Sequence, residues 1–211
     1  MIIYYIAWGS LLWNFKSLKI ETEWTKSNIK FPLNFSRISD SGNGRLTLVI
    51  DKTGEMNNVH YARTSFSNLN NAIHKLKTRE KTSNKNIGFI NIASDTFRTS
   101  ILDDKKIQEL VSFAKKNKID ALIWTEIPPN FNEVFGKPYS KENAIEYIQS
   151  KMDNKKLYNK ILEYILLSKI YGNIKTSLST FLTKKLICNK LWEFNNNIYI
   201  MTAHTFRCRN W

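Results

Sequence analysis

At 211 residues, 42% hydrophobic and 13% aromatic, the chain is long enough for one well-filled domain, or one domain with a sizeable appendage. Its 7 Gly and 4 Pro exclude collagen-like and linker-dominated classes, and no apolar run reaches the roughly 18 to 20 residues that span a bilayer. The formal charge is +14, yet the lysines are scattered, with no run longer than two and no arginine–aromatic interleaving. Solubilising charge is therefore the expectation, and a nucleic-acid partner is not.

The apolar start, Met1 to Trp13, lacks a basic leader and a small-residue cleavage site, so a cytoplasmic chain without a membrane anchor is expected. Residues 2–7 are β-branched and aromatic, which predicts a central strand. Trp8-Gly9-Ser10-Leu11 ends it in a turn. A Gly-Ser turn at a strand end either simply reverses the chain or presents consecutive N–H groups to an anion. Ser41 to Gly44 reads as a turn before a strand at Arg45–Ile50, and Asp51 to Glu55 as a turn before a third strand at 57–65. Two strands joined so closely suggest antiparallel pairing with one another.

Ser67 reads as an N-cap. Leu69, Ala72, Ile73 and Leu76 then recur at helical spacing. Glu80, four residues beyond Leu76, continues that stripe. A carboxylate on an apolar face is either partly buried, where it suits proton transfer, or sits at a frayed helix end in solvent. A second helix is predicted from about Asp103 to Lys116, a strand at 119–125, and a stop at Pro128-Pro129. From Ser140 the pattern changes to three helices, near 140–152, 154–169 and 176–191, and a closing strand at 197–202. The layout is α+β, with a core over 1–139 and a C-terminal helical extension over 140–211 packed on it.

Other chemistry-bearing residues form no constellation. Cys188 and Cys208 have no His cluster beside them, so neither zinc nor a disulfide is suggested. His60, His74 and His204 show no ligand spacing. Trp13 and Trp124 read as core residues. Glu126, at a strand end, is a possible second carboxylate in a cleft.

Taken in order, two motifs carry a resemblance. Ile6-Ala7-Trp8-Gly9-Ser10-Leu11-Leu12-Trp13-Asn14 resembles the Tyr-Gly-Ser-Leu-(Leu/Ile)-Trp-Asn opening of ChaC-type γ-glutamylcyclotransferases. Ala72 to Glu80, with Arg79-Glu80 at its end, resembles the family's Ala-x-x-x-Leu-x-x-Arg-Glu helix. Ser36-Arg37 with Arg45–Ile50 is similar to its next strand pair. Asp120 to Thr125 with Pro128 to Phe131, Asn143 to Ile148, and Ile174 to Thr176 are similar to an uncharacterised bacterial branch. Patches of similarity cover most of residues 1–180.

This resemblance implies a γ-glutamylcyclotransferase-like fold: a mixed, partly closed β-barrel with flanking helices. It also implies an enzyme that cleaves a γ-glutamyl amide to 5-oxoproline and a free amine or amino acid, without metal or organic cofactor. The substrate's α-amine attacks its own γ-carbonyl, a proximity effect, and Glu80 is the implied general acid/base. Trp8, Gly9, Ser10, Leu11, Ser36, Arg37 and Tyr61 are the implied substrate-binding residues. Backbone amides of Gly9, Ser10 and Leu11 would receive a carboxylate or oxyanion, and the Arg37 fork a carboxylate. Structural roles for Arg37 and Tyr61 stay open beside these. The alternative is an inactive module that binds a small anion and engages a protein or nucleic-acid partner through its basic C-terminal helices.

Overall fold

The two faces of the first strand lead into two separate cores. In the computed structural model, which describes residues 1–40 and 43–188, β1 (Ile3–Ala7) sends Ile3, Tyr5 and Ala7 to one side and Ile6 to the other. That alternation is the period-2 geometry of a strand. Strand β7 (Ala121–Thr125) does the same, with Ala121 and Ile123 on the first side and Leu122 and Trp124 on the second. A strand buried on both faces must lie inside a layered structure, here a sheet with helices on either side.

The sheet has seven strands. Besides β1 and β7 they are β2 (Thr25–Ser39), β3 (Arg45–Ile50), β4 (Glu55–Arg63), β5 (Ile87–Asn91) and β6 (Thr96–Arg98), in spatial order β3-β2-β4-β1-β7-β5-β6. β1 and β7 run parallel, and the other neighbours are antiparallel. The fold is thus α+β as expected, but its mixed sheet is not closed into a barrel. Among the described residues, β3 and β6 are its two edges and do not meet.

The predicted pairing of β3 with β4 is also corrected. Leu33 of β2 aligns with Ile50 on one side and Glu55 on the other. β3 and β4 therefore run along opposite sides of β2, and the turn between them crosses over it. Gly54 makes the crossing possible: a Cβ there would stand 2.8 Å from the Leu33 and Pro32 backbone. The closest approach demands glycine.

Helix α1 (Leu69–Glu80) covers the first face with Ala72, Ile73 and Leu76, and the Tyr5 hydroxyl donates to the Ala72 carbonyl at 2.9 Å. Its N-cap is Asn68 rather than Ser67; the Asn68 side chain accepts from the Asn71 N–H at 3.1 Å. The other face carries α2 (Asp104–Lys116), α3 (Phe131–Phe135), α4 (Lys141–Gln149), α5 (Lys155–Gly172) and α6 (Ser177–Cys188). The C-terminal helices share one core with the sheet: Tyr147, Ile161, Tyr164 and Leu178 pack with Phe35 and Leu48. Polar ties reinforce that packing. The Tyr147 hydroxyl donates to the Gly44 carbonyl, and the Lys175 N–H donates to Asn57 Oδ1 at 2.7 Å. No helix among the described residues is long and apolar enough to cross a membrane. The predicted closing strand, His204 and Cys208 lie outside the described residues.

Candidate functional site

Where β1 and β7 end, α1 ends too, and α5 passes alongside. The space between them is a cavity of about 490 Å³, within the usual range for small-molecule sites. Trp8, Ser10 and Leu11 line it after β1, Arg45 and Thr47 to Ile50 offer a strand wall, and Arg79 to Thr82 come from the end of α1. Its charged lining is cationic on balance: Arg37, Arg45, Arg79 and Lys81 against Asp40 and Glu80.

Glu80 is the last residue of α1, and its side chain is 17% exposed. The stripe that buries Leu76 thus carries the carboxylate into the cavity mouth and not into bulk solvent. Arg79 pairs with Glu80 Oε1 through Nη1. Its Nη2 donates to the Asn14 carbonyl at 2.8 Å, and to the Ser10 carbonyl and hydroxyl at 3.2 and 3.3 Å. Arg79 therefore clamps the turn after β1 to the end of α1 and holds Glu80 beside Ser10. No hydrogen bond among the described residues occupies Glu80 Oε2, which remains available to a ligand.

The turn itself is a 3-10 helix, Gly9–Leu12, whose Ser10 carbonyl also accepts from the N–H groups of Trp13 and Asn14. Gly9 has φ +55, and a Cβ on it would stand 2.6 Å from the Tyr164 hydroxyl. The position excludes a side chain on both grounds. Gly9 is thus a shaping residue packed beneath the turn and does not line the cavity, in contrast to its predicted role. Trp8 is 5% exposed and its indole N–H donates to the Leu48 carbonyl at 3.2 Å. It joins the turn to β3 while lining the cavity.

Tyr164 of α5 closes the opposite side. Leu48 N–H reaches its hydroxyl at 3.4 Å, and the Arg45 guanidinium lies over its ring at 4.3 Å. Burial pushes the phenol above its ordinary range. The charge of Glu80 adds to that, while Arg45 and the backbone groups of Leu48 and Ser10 act against it. The hydroxyl itself lies against Gly9 and accepts from the Leu48 N–H.

The other predicted site residues divide. Arg37 lines the cavity, although its Nη1 is engaged by the Pro128 carbonyl at 2.8 Å. Ser36 does not: it is fully buried, and its hydroxyl has no hydrogen-bond partner among the described residues. Neighbours on a strand face opposite sides, so a Ser-Arg pair does not deliver both side chains to one cavity. Tyr61 is also away from it, packed between Tyr4 and Phe113 with ring centroids 5.6 and 5.1 Å distant. It belongs to the core beneath α2.

Glu126 faces inward but has no vacancy for a ligand. It accepts from Trp124 Nε1 at 2.7 Å, from the Ser100 N–H at 2.7 Å, from the Ser100 hydroxyl at 3.1 Å and from the Thr99 hydroxyl. Trp13, read as core, lines the cavity beside Tyr164. Sequence reasoning missed Arg45 and Tyr164 as site residues, and considered Arg79 only as the motif neighbour that could lock Glu80. Tyr164 lies among Ile161, Ile165 and Ser168 on a buried helix face, a pattern that signals packing. The basic residue at the start of a strand carries no signal at all.

No protein-family model, no curated protein and no solved structure matches this chain. The functional reading therefore rests on the motifs and on the geometry of the cavity.

Proposed function

We propose that this chain is a cofactor-independent γ-glutamylcyclotransferase-like enzyme, with Glu80 as its general acid/base. The observation that carries the reading is the placement of a part-buried carboxylate at a cationic cavity, held against the Ser10 turn by Arg79. The motifs that resemble the family at Trp8 to Asn14 and at Arg79-Glu80 meet there, although they lie far apart in the chain.

The chemistry needs little else. Glu80 Oε2 accepts a proton from the substrate's α-ammonium, freeing the amine to attack the γ-carbonyl carbon of the same molecule. The new C–N bond closes a five-membered lactam, and the original amide C–N bond breaks. The attacking nitrogen gives up its second proton as that bond breaks, Glu80 relays both protons in turn to the leaving nitrogen, and the carboxylate ends as it began. The gain from holding the two reacting atoms together is entropic and is large for intramolecular attack. This reading gives Ser10, Leu11 and Tyr164, which line the cavity, the task of supporting charge on the carbonyl oxygen, and gives the cationic lining that of attracting the substrate carboxylate.

The Arg79–Glu80 ion pair favours one second reading, a module that binds a small anion without turning it over. The two separate cleanly on 5-oxoproline release from a panel of γ-glutamyl amides, measured on the intact chain and on Glu80→Gln. The enzyme reading expects turnover that falls about a hundredfold or more in the variant, the usual scale of acid–base catalysis. Absence of turnover, or equal turnover in both proteins, rejects it in favour of the binding module.

A further inference from the structure

One face of β7 and the buried stripe of α1 run to the cavity side by side. Ala121 and Ile123 stand on the side that α1 covers, and Thr125, the last residue of β7, follows them there by the period of the strand. Trp124 and Glu126 meet on the other side. β4 is antiparallel to β1 and ends beside Tyr4, so α1, which follows it, starts at the N-terminal end of β1 and β7 and finishes at their C-terminal end. Leu76 and Ile123 share the core beneath α1. One helical turn then separates Leu76 from Glu80, about 6 Å along the axis, and two residues separate Ile123 from Thr125, about 7 Å along the strand. Glu80 and Thr125 thus arrive level with one another, and both line the cavity.

Thr125 is 8% exposed, and among the described residues no hydrogen bond engages its hydroxyl. Other hydroxyls of the lining are occupied: Ser10 accepts from Arg79, Thr47 donates to the Arg37 carbonyl, and Thr82 accepts from Asn86. Glu80 Oε2 is also unengaged, and no hydrogen bond joins it to Thr125. A carboxylate oxygen and a hydroxyl oxygen, open to the same space and not closed on each other, are two acceptors for one donor group. An ammonium is such a group, with three N–H donors and no acceptor. Elsewhere the lining carries Arg37, Arg45 and Lys81 against Asp40, which suits a carboxylate and not an ammonium. We propose that Thr125 accepts a hydrogen bond from the substrate's α-ammonium and, together with Glu80, aims its nitrogen at the γ-carbonyl carbon. One proton passes from that nitrogen to Glu80 Oε2 while the bond to Thr125 persists, so the freed lone pair turns away from both oxygens toward the carbon under attack. Thr125 neither gives nor takes a proton. This rests on the cyclotransferase reading and adds a residue that touches the reacting nitrogen.

The test pairs γ-glutamylalanine with N-glutarylalanine, the same molecule without its α-amine. Thr125→Val keeps the shape of the side chain and removes the hydroxyl; Thr125→Ala replaces it should the first variant not fold. The loss of the hydroxyl should lower kcat/KM for γ-glutamylalanine about ten- to a hundredfold, the range for a hydrogen bond to a charged group. Inhibition by N-glutarylalanine should change by less than about twofold, since it brings no ammonium. Thr125→Ser should restore kcat/KM to within about threefold of the intact chain, because the hydroxyl returns. Unchanged turnover in Thr125→Val overturns the proposal and leaves the cyclotransferase reading standing. An equal loss on substrate and inhibitor also overturns it, because a displaced strand end weakens both alike. In the intact chain, KM for γ-glutamylalanine should lie about tenfold or more below the inhibition constant of N-glutarylalanine; equal values overturn the ammonium site without any variant. Absence of turnover counts against the cyclotransferase reading alone, and calorimetric binding of the same pair then decides on Thr125. A preference for γ-glutamylalanine that Thr125→Val abolishes keeps Thr125 as an ammonium-binding residue; equal binding, no binding, or a preference that the variant leaves intact removes it.

Discussion

Glu126 follows β7 and Glu80 closes α1, so two carboxylates stand at the ends of adjoining elements. Four donors from Trp124, Thr99 and Ser100 surround Glu126, which is 2% exposed. Glu80 has one partner, Arg79, which grips a single oxygen and faces the group toward open space. A buried charge whose lone pairs are all met holds structure together, here by pinning residues 99–100 to the end of the sheet. A carboxylate with unused capacity beside a cavity is free to exchange partners, which proton transfer requires. The lesson is that inward orientation alone does not nominate a catalytic carboxylate. The count of donors already committed to it does.

The strongest way to break the structural half of this contrast is Gly88→Ala. A Cβ on Gly88 would stand 2.3 Å from Trp124 Nε1 and 2.7 Å from Glu126 Oε1, in a strand with no room to move. A loss of about 3 kcal/mol is expected in denaturant unfolding, at the upper end for overpacking. Glu126→Gln is the next step down. Its amide N–H groups would confront the donors that now point at the carboxylate, and about 2 kcal/mol of stability should go, as for buried groups deprived of partners. Turnover per folded molecule should persist.

Gly9→Ala sharpens the other half. The left-handed backbone costs about 1–2 kcal/mol for any side chain, and the new methyl meets the Tyr164 hydroxyl, 2.6 Å away. Combining it with Tyr164→Phe should recover part of the loss in a double-mutant cycle, since the pair shares one clash. The mildest expectation concerns alkali. Burial raises the Tyr5 and Tyr164 phenols above their ordinary range, so the folded state holds protons that the unfolded chain releases above about pH 10. Their contribution to stability is fully present below that pH and declines as pH rises through the raised folded values. Ultraviolet titration at high pH should show phenols that ionise only as the chain unfolds.

Much of this contrast was legible in local patterns, and the rest was not, for physical reasons. The stripe Leu69, Ala72, Ile73, Leu76 predicted α1 and placed Glu80 on its buried side. The β1 and β3 runs were readable because both are continuous and bounded by turn residues. β2 was read only at Ser36-Arg37, through the resemblance, even though Ile29, Phe31, Leu33 and Phe35 alternate in it, because polar residues before Ile29 dilute the signal. Its insertion between β3 and β4 is a long-range event, and a short turn cannot report what crosses beneath it. Short β5 and β6 had too few residues to show a period. At the site, Glu80 and Ser10 stood in recognisable motifs, whereas Arg45 and Tyr164 meet only through the packing of α5 on β3.

The most direct test sets the two carboxylates against each other in one experiment. Glu80→Gln and Glu126→Gln are compared for 5-oxoproline release from γ-glutamyl amides and for unfolding free energy. The account predicts that Glu80→Gln loses turnover about a hundredfold or more with little change in stability, and that Glu126→Gln does the reverse. Full turnover in Glu80→Gln, or a collapse of turnover per folded molecule in Glu126→Gln, would contradict it.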